Sequence, residues 1–204
     1  MYQVALGKIS DLQQQPLSPG LRQLAPTGPR RAAWLAGRVL LSRMLFPLPL
    51  PEIIYSDNGK PAFHASVPLW FNLSHSGNNI ALIVSDEGEV GCDIEIIRPR
   101  ENWPRLADAV FSAGERQLIA AEPEPLQLAA FWRIWTCKEA ILKQSGGHVW
   151  QMAQIDSTAL AHSFVSQTFI AGSLSLALCT PTPYLLNIND ISGQRSLWDL
   201  VELR

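Results

Sequence analysis

The stretch that decides the fold is Trp132-Arg133-Ile134-Trp135-Thr136-Cys137-Lys138-Glu139-Ala140-Ile141-Leu142-Lys143. Its spacing predicts the middle of an amphipathic helix at about residues 126–145, which ends at Gly146-Gly147. Glu139 lies one turn before Lys143, and residues at this spacing are neighbours on a helix. Two interpretations are open here: a surface ion pair worth about 0.2–0.5 kcal/mol, or a site where metal and phosphate charges meet.

A second element upstream, Val90-Gly91-Cys92-Asp93-Ile94-Glu95, has the alternation of a strand. Asp93 and Glu95 then share one face, with their Cα atoms about 6.5–7 Å apart. Two carboxylates on one face repel each other unless a cation joins them, and ligands that are all oxygen favour magnesium over zinc. A solvent-facing edge strand is the alternative interpretation of the same pattern.

Four motifs in this order resemble the 4'-phosphopantetheinyl transferases. They are Gly59-Lys60-Pro61, Phe71-Asn72-Leu73-Ser74-His75-Ser76, the strand at residues 90–95, and Trp135-Thr136-Cys137-Lys138-Glu139-Ala140. Together they span about residues 59–146. The chain is most similar to the two-lobed monomeric branch, and within it to the bacterial AcpT-type holo-[acyl carrier protein] synthases.

The resemblance implies an α+β fold of two similar, pseudo-symmetric lobes, each an antiparallel sheet packed with helices, with the active site between them. We expect an N-terminal lobe at residues 1–98 and a C-terminal lobe at residues 99–204. Arg98-Pro99-Arg100 interrupts the strand pattern and marks the crossing between the lobes.

The resemblance also implies an activity. Members of the family transfer the 4'-phosphopantetheine arm of coenzyme A to a serine of an apo acyl carrier protein and release adenosine 3',5'-bisphosphate. By resemblance, Asp93, Glu95 and Glu139 hold magnesium against the pyrophosphate of coenzyme A. Glu139 would also take the proton of the serine, directly or through a water, and Lys143 would neutralise charge on the bridging or leaving phosphate.

Further residues are predicted to bind coenzyme A as the co-substrate. By resemblance, Ser74 and His75 contact its phosphates, in a loop that Ser74-His75-Ser76 opens after a strand. Lys60 would lie near the 3'-phosphate and adenine. A Ser74–His75 nucleophile pair is disfavoured, because adjacent strand residues point apart.

Arg30 and Arg31 are candidate phosphate ligands at the start of a predicted helix over residues 30–46. Backbone N–H groups at a helix N-terminus also attract anions. Carrier proteins are commonly acidic, so a group of arginines after the third motif is a candidate recruiting surface. These residues are Arg98, Arg100 and Arg105.

Composition narrows the function classes. The chain has 204 residues, 47% of them hydrophobic, and a formal net charge of -2, which gives no indication of nucleic-acid binding. Cys92, Cys137 and Cys179 form no CxxC or Cys/His pattern, so we interpret them as packing residues in a reducing compartment. The first residues lack the pattern of a signal peptide and no apolar stretch could cross a bilayer. We therefore expect a cytoplasmic protein that does not associate with membranes, and the resemblance to the two-lobed branch implies a monomer.

The remaining elements follow from local signals. Strands are predicted at about residues 2–9, 52–55, 69–73, 80–85, 89–97, 164–170, 174–179 and 184–188. Asp86-Glu87-Gly88 is interpreted as a hairpin connection. Ser112 and Glu115 form a capping box for a helix that ends near residue 121, and Glu115 is given no further role. Lys138 is expected to face solvent or a neighbouring lobe.

Two other classes of protein remain open. One is a catalytically silent coenzyme A-binding module, although such a module has no need for the full set of three carboxylates and Lys143. The other is a metal-dependent phosphohydrolase, which would consume coenzyme A without a carrier. The chain contains neither a GxxxxGK[ST] loop nor an HExxH motif.

Overall fold

Residues 1–192 are described by a computed structural model, which has the predicted α+β fold. The nine strands of these residues are β1 Tyr2–Lys8, β2 Ile53–Tyr55, β3 Pro61–Phe63, β4 Trp70–Ser76, β5 Asn79–Ser85, β6 Gly91–Ile96, β7 Phe164–Ile170, β8 Leu174–Thr180 and β9 Ile191–Ser192. The α-helices are α1 Ile9–Leu12, α2 Pro19–Gln23, α3 Arg31–Leu45, α4 Trp103–Val110, α5 Ala113–Ala120 and α6 Glu124–Ser145. Two 3₁₀ turns lie at Val149–Gln154 and Ile188–Asp190.

The strands form two main sheets and a separate pair. The first sheet has the order β4-β5-β1-β9, in which β1 is antiparallel to β5 and parallel to β9. The second sheet is antiparallel with the order β6-β8-β7. Strands β2 and β3 pair only with each other in the described chain. The edge strands β4 and β6 therefore belong to different sheets.

The predicted hairpin at Asp86-Glu87-Gly88 is wrong. Strand β6 pairs with β8, from Gly91 opposite Cys179 to Ile96 opposite Leu174, and does not continue the first sheet. The physical reason is burial, because one face of β6 carries Ile94 and its apolar neighbours into a core shared with β8. Such long-range packing leaves no signal in the turn.

The division of the chain at residue 98 stays a prediction. Strand pairing places β6, which precedes that point, with β7 and β8, and it returns β9 to β1. The change from one sheet to the other thus occurs before Gly91 and not at Arg98.

Opposite faces of the first sheet pack against different partners. One face, with Phe71 and Leu82 among its residues, packs against α1 and α3 through Leu12 and Leu41. The other face packs against strands of the second sheet. That second core contains Val4, Leu6, Ala81, Ile83, Val90, Cys92, Ile94, Leu176 and Leu178. The central strands β1 and β5 therefore alternate between two cores, as their period of two requires.

Helix α6 is anchored by aromatic side chains. Phe131 is fully buried, and its ring lies 5.4 Å from the rings of Phe111 and Trp132 and 5.8 Å from that of Trp135. The helix ends as predicted, because Gly146 adopts a left-handed conformation with φ of 70°. This packing fixes the helix that carries Glu139.

Several local predictions need correction. Residues 184–188 do not form a strand, and β3 and the short helices α1, α2 and α4 were missed. The capping box is present, since Ser112 and Glu115 each accept a hydrogen bond from the other's backbone N–H. The three cysteines are buried, which raises their pKa to about 12 and confirms the prediction that they serve packing. No described helix is both long and apolar enough to cross a bilayer.

Candidate active site

The two sheets meet where β4 and β6 run side by side, and side chains join them. Asn72 Oδ1 accepts a hydrogen bond from Cys92 N at 2.9 Å, and Ser76 Oγ accepts one from Ile96 N at 3.2 Å. The Ser76 hydroxyl also donates to Glu95 Oε2 at 2.7 Å. The side chains of Asn72 and Ser76 thus satisfy backbone N–H groups on the edge of β6 that forms no ladder with β4.

The prediction that Ser74-His75-Ser76 opens a loop is wrong. These residues complete β4, and the turn comes after them, at Gly77, whose φ is 55°. The alternation of Asn72, Ser74 and Ser76 with larger residues was the signal for a longer strand. It also places His75 on the exposed side of β4, away from buried Ser74.

Asp93 is the centre of the site. Its Oδ1 accepts hydrogen bonds from Ser74 Oγ at 2.8 Å and from Lys143 Nζ at 2.5 Å. The Lys143 ammonium also donates to Ser74 Oγ at 2.9 Å, so each of the three side chains is hydrogen-bonded to the other two. The structure therefore brings together one residue from each of three elements: β4, β6 and α6.

Helix α6 approaches β6 closely because Gly91 has no side chain. A Cβ atom at this position would lie 1.9 Å from the carbonyl oxygen of Ala140 and 2.6 Å from Gln144 N. Any larger residue would push the helix away from the strand. The close contact carries Glu139 and Lys143 over the face of β6 that bears Asp93 and Glu95.

The electrostatics of the site reflect crowded acidic groups. Burial, followed by the charge of Asp93, raises the pKa of Glu139 to about 7. Burial likewise raises the pKa of Glu95. Burial lowers the pKa of Lys143, but Asp93 and Glu139 outweigh that effect and leave its pKa above the ordinary value. Lys143 therefore stays charged at neutral pH.

Within residues 1–192, no three His, Cys, Asp or Glu side chains are grouped closely enough to hold a metal ion as they stand. Lys143 supplies the positive charge at Asp93 instead. One observation nevertheless fits a cation: Asp93 Oδ2 is buried, and no described residue offers it a hydrogen bond. A buried carboxylate oxygen without a partner is costly, and oxygen donors of this kind suit magnesium.

Lys60 lies at the far end of α6. Its ammonium donates to the carbonyl oxygen of Gln144 at 2.8 Å and to Glu89 Oε2 at 2.5 Å. Asn58 in the same turn donates to the carbonyl oxygen of Gly146 at 2.9 Å. The turn therefore caps the C-terminus of α6, a role that sequence reasoning missed.

The predicted ligands Arg30 and Arg31 are exposed, and their described contacts do not include Asp93, Ser74 or Lys143. Arg30 is the N-cap residue of α3 and makes no side-chain capping bond, while Arg31 donates to the carbonyl oxygens of Ala25 and Pro26 at 3.3 and 3.4 Å. The Arg100 guanidinium lies 5.3 Å from the ring centre of Trp135, next to the site.

The predicted position of Lys138 is wrong. Its side chain is fully buried and its ammonium donates to Glu115 Oε2 at 2.7 Å and to the carbonyl oxygen of Ile155. Glu115 also accepts hydrogen bonds from Ser157 N and Oγ, so it does more than cap its helix. A lysine on the helix face opposite the site was interpreted as exposed because its buried counter-ion is distant in sequence.

Comparison with known proteins places these residues in a family. A family model described as the 4'-phosphopantetheinyl transferase superfamily matches residues 89–180, which include Asp93, Glu95, Glu139 and Lys143. The 4'-phosphopantetheinyl transferase AcpT of Salmonella typhimurium is 60% identical over 192 residues, covering 94% of this chain and 98% of the relative. AcpT of Escherichia coli K12 is 59% identical over 191 residues, covering 94% and 96%. The 4'-phosphopantetheinyl transferase psf-1 of Bacillus pumilus is 38% identical over 117 residues, covering 55% and 49%.

Proposed function

This chain belongs to the 4'-phosphopantetheinyl transferase superfamily, as its sequence predicted, and on that premise we propose that it modifies an apo acyl carrier protein. The 4'-phosphopantetheine arm of coenzyme A is transferred to a carrier serine in a magnesium-dependent reaction. The serine oxygen forms a bond to the β-phosphorus of coenzyme A. The bond from that phosphorus to the bridging oxygen breaks, and adenosine 3',5'-bisphosphate leaves.

The observation that carries this proposal is the convergence of Asp93, Ser74 and Lys143, with the second oxygen of Asp93 buried and unpartnered among the described residues. Asp93, Glu95 and Glu139 are the proposed magnesium ligands. When bound, the ion would neutralise the pyrophosphate of coenzyme A. These carboxylates lie on β6 and α6, so the site we propose lies between the two sheets.

Glu139 is the proposed acceptor of the serine proton. Without a bound metal, burial raises its pKa to about 7, and a general base works best when its pKa is near the working pH. Its carboxylate Oε2 also lies 3.9 Å from Lys143 Nζ, one helical turn away. A charged lysine at that distance stabilises the ionised carboxylate that accepts the proton.

Lys143 and Ser74 are the proposed partners of the phosphates. The Lys143 ammonium keeps its charge at neutral pH, since its pKa lies above the ordinary value. The Ser74 hydroxyl lies 2.9 Å from that ammonium and can donate to the same anion. Positioning and charge neutralisation of this kind supply most of the catalysis in phosphoryl transfer.

The outer part of coenzyme A is proposed to contact His75, Lys60, Arg30 and Arg31. All four have basic side chains, and those of His75, Arg30 and Arg31 are exposed to an incoming anion. Lys60 would have to share its ammonium between the 3'-phosphate and its present contacts with Glu89 and the end of α6.

The partners follow from the same proposal. Arg98, Arg100 and Arg105 are the candidate surface for an acidic carrier. A monomer in the cytoplasm remains our prediction. A silent coenzyme A-binding module is disfavoured by the retained carboxylates and Lys143.

The test is the intact mass of an apo acyl carrier protein after incubation with the enzyme, coenzyme A and magnesium chloride. We expect the carrier to gain one phosphopantetheine group, and we expect EDTA to prevent the gain. Glu139→Gln should abolish the gain, while Glu124→Gln, the same change at the exposed start of α6, should not.

Three results would contradict the proposal. Full activity of a folded Glu139→Gln enzyme would remove Glu139 from the mechanism. Consumption of coenzyme A in a reaction without carrier would favour a phosphohydrolase, and binding of coenzyme A without modification of any carrier would favour the silent module.

A further inference from the structure

Asp93, a proposed magnesium ligand, already has a cation as its partner in the free protein. Lys143 Nζ lies 2.5 Å from Asp93 Oδ1, and the Asp93 side chain is only 4% exposed. Ser74 reinforces the pair, because its hydroxyl donates to the same carboxylate oxygen and accepts from the same ammonium. Asp93 is thus neutralised without any metal.

A divalent cation on Asp93 would meet the charge of Lys143. The two oxygens of a carboxylate are too close together for an ion on Oδ2 to escape an ammonium held against Oδ1, and two like charges a few ångströms apart in a poorly hydrated site repel each other strongly. Magnesium also gives up its water reluctantly. Binding at Asp93 is therefore weakened as long as the ammonium stays in place.

We infer that Lys143 competes with magnesium for Asp93, and that the phosphates of coenzyme A relieve this competition by drawing the ammonium onto themselves. The inference rests on the proposed function, since it takes Asp93 as a metal ligand. It adds that one lysine is the counter-ion of Asp93 in the free enzyme and the partner of phosphate in the loaded enzyme.

The surroundings of Lys143 allow this exchange. Its side chain is 30% exposed, so the ammonium can move without opening the core. Glu139 Oε2 is a second anion on the same helix, 3.9 Å away. A lysine side chain has four flexible carbons, which suits it to change partners.

Cooperative binding follows. If coenzyme A removes Lys143 from Asp93, then coenzyme A raises the affinity for magnesium, and magnesium raises the affinity for coenzyme A by the same factor. The enzyme without coenzyme A would therefore bind magnesium weakly, and most of the metal would bind together with coenzyme A.

The test is isothermal titration calorimetry, in which magnesium chloride is added to the enzyme without coenzyme A or carrier. We expect Lys143→Met to bind magnesium about tenfold or more tightly than the wild type, the effect of removing one charge-assisted hydrogen bond from a ligand. Lys143→Arg keeps a cation at this position and should bind like the wild type.

Two further variants serve as controls. Lys8→Met makes the same change of net charge at an exposed lysine that bonds Asn79, and its affinity should equal that of the wild type. Asp93→Asn should abolish binding in the wild-type and Lys143→Met backgrounds.

A second measurement uses the unaltered protein. The Lys143 Nζ resonance in an NMR spectrum of ¹⁵N-labelled enzyme should shift on addition of magnesium chloride, whereas the Lys8 resonance should not. Sodium chloride at equal ionic strength should leave both in place.

The outcomes separate the inference from the proposed function. If the wild type and Lys143→Met bind magnesium with equal affinity, and Asp93→Asn does not bind it, the inference is overturned but the metal site at Asp93 stands. Magnesium binding that is absent from Lys143→Met at millimolar magnesium would also overturn the inference, and binding unaffected by Asp93→Asn would in addition remove Asp93 from the metal ligands. The proposed transfer itself fails only if the carrier gains no phosphopantetheine group in the mass assay.

Discussion

Lys138 and Glu115 form an ion pair in which both side chains are fully buried, with Nζ and Oε2 2.7 Å apart. The pair connects α6 to the start of α5, and Ser157 adds two hydrogen bonds to Glu115. Neighbouring residues of a helix are about 100° apart around its axis. Holding Lys138 toward α5 therefore helps to direct Glu139 toward β6.

Removing either partner of this pair should destabilise the protein, by unequal amounts. Without Lys138, Glu115 keeps hydrogen bonds from the backbone of Ser112 and from Ser157. Without the Glu115 charge, the buried ammonium keeps mainly the carbonyl oxygen of Ile155. We expect Glu115→Gln to cost about 3–5 kcal/mol of unfolding free energy and Lys138→Met to cost less.

Urea denaturation measures both effects. Asp108→Asn is the matched control, because it removes an exposed ion pair with Arg116 at 3.9 Å and should change stability by less than about 1 kcal/mol. If Glu115→Gln were as stable as the Asp108→Asn control, the buried Lys138 ammonium would not depend on the Glu115 charge, and the prediction would be wrong.

The turn at Asn58 and Lys60 provides a second prediction. Both side chains bond carbonyl oxygens at the C-terminus of α6, where a positive charge also interacts favourably with the helix dipole. We expect Asn58→Ala and Lys60→Met each to lower the unfolding free energy by about 1–2 kcal/mol. Only Lys60→Met should also raise the KM for coenzyme A, since Asn58 has no charge to offer a phosphate.

Comparison of the two variants separates capping from binding. Steady-state kinetics with coenzyme A and with dephospho-coenzyme A should show that Lys60→Met loses discrimination between them. If Asn58→Ala raised the KM by the same factor, the effect of Lys60 would act through the helix and not through the 3'-phosphate.

The parts of this fold that were predictable from the sequence have local causes. The helix α6 and its end at Gly146 follow from hydrophobic spacing and a left-handed glycine, and the start of α5 follows from the Ser112–Glu115 capping box. The pairing of β6 with β8 was missed because about 80 residues separate the partners, and no turn connects them.

In the candidate site, too, only the features that are local in sequence were predictable. Spacing alone placed Asp93 and Glu95 on one face of a strand and Glu139 one turn before Lys143. The direct contact of Lys143 with Asp93 spans 50 residues and depends on the closeness of α6 to β6. Gly91 was a signal for that closeness, but a glycine in a strand has several possible reasons.

Gly91→Ala tests how closely the helix is packed. The added Cβ would overlap the carbonyl oxygen of Ala140, and backbone atoms cannot move aside as a flexible side chain does. We expect a loss of at least about 1–3 kcal/mol of unfolding free energy, together with a large loss of transfer activity because Glu139 and Lys143 shift.

The matched control is Gly20→Ala in α2, where an added Cβ meets no atom within 4 Å. That variant should be neutral or slightly stabilised, because alanine restricts the unfolded chain more than glycine does. A Gly91→Ala protein with wild-type stability and activity would mean that α6 is not packed closely against β6 at this position.

The raised pKa of Glu139 predicts how stability depends on pH in the absence of metal. Burial raises this pKa from 4.5 to about 7, so the folded state holds the proton more tightly than the unfolded state does. Stability should therefore fall as the pH rises from about 4.5 to 7. The expected loss is about 3.5 kcal/mol, because this pKa rises by about 2.5 and one pKa unit corresponds to about 1.4 kcal/mol.

Urea denaturation in EDTA-containing buffers between pH 5 and 8.5 tests this dependence. Glu139→Gln cannot ionise, so its stability should fall less over this range, and the raised pKa values of Glu95, of the N-terminal amine and of the three cysteines should leave a residual slope. Glu124→Gln should follow the wild type. Parallel curves for the wild type and Glu139→Gln would show that Glu139 ionises normally, and its assignment as a base poised near neutral pH would then fail.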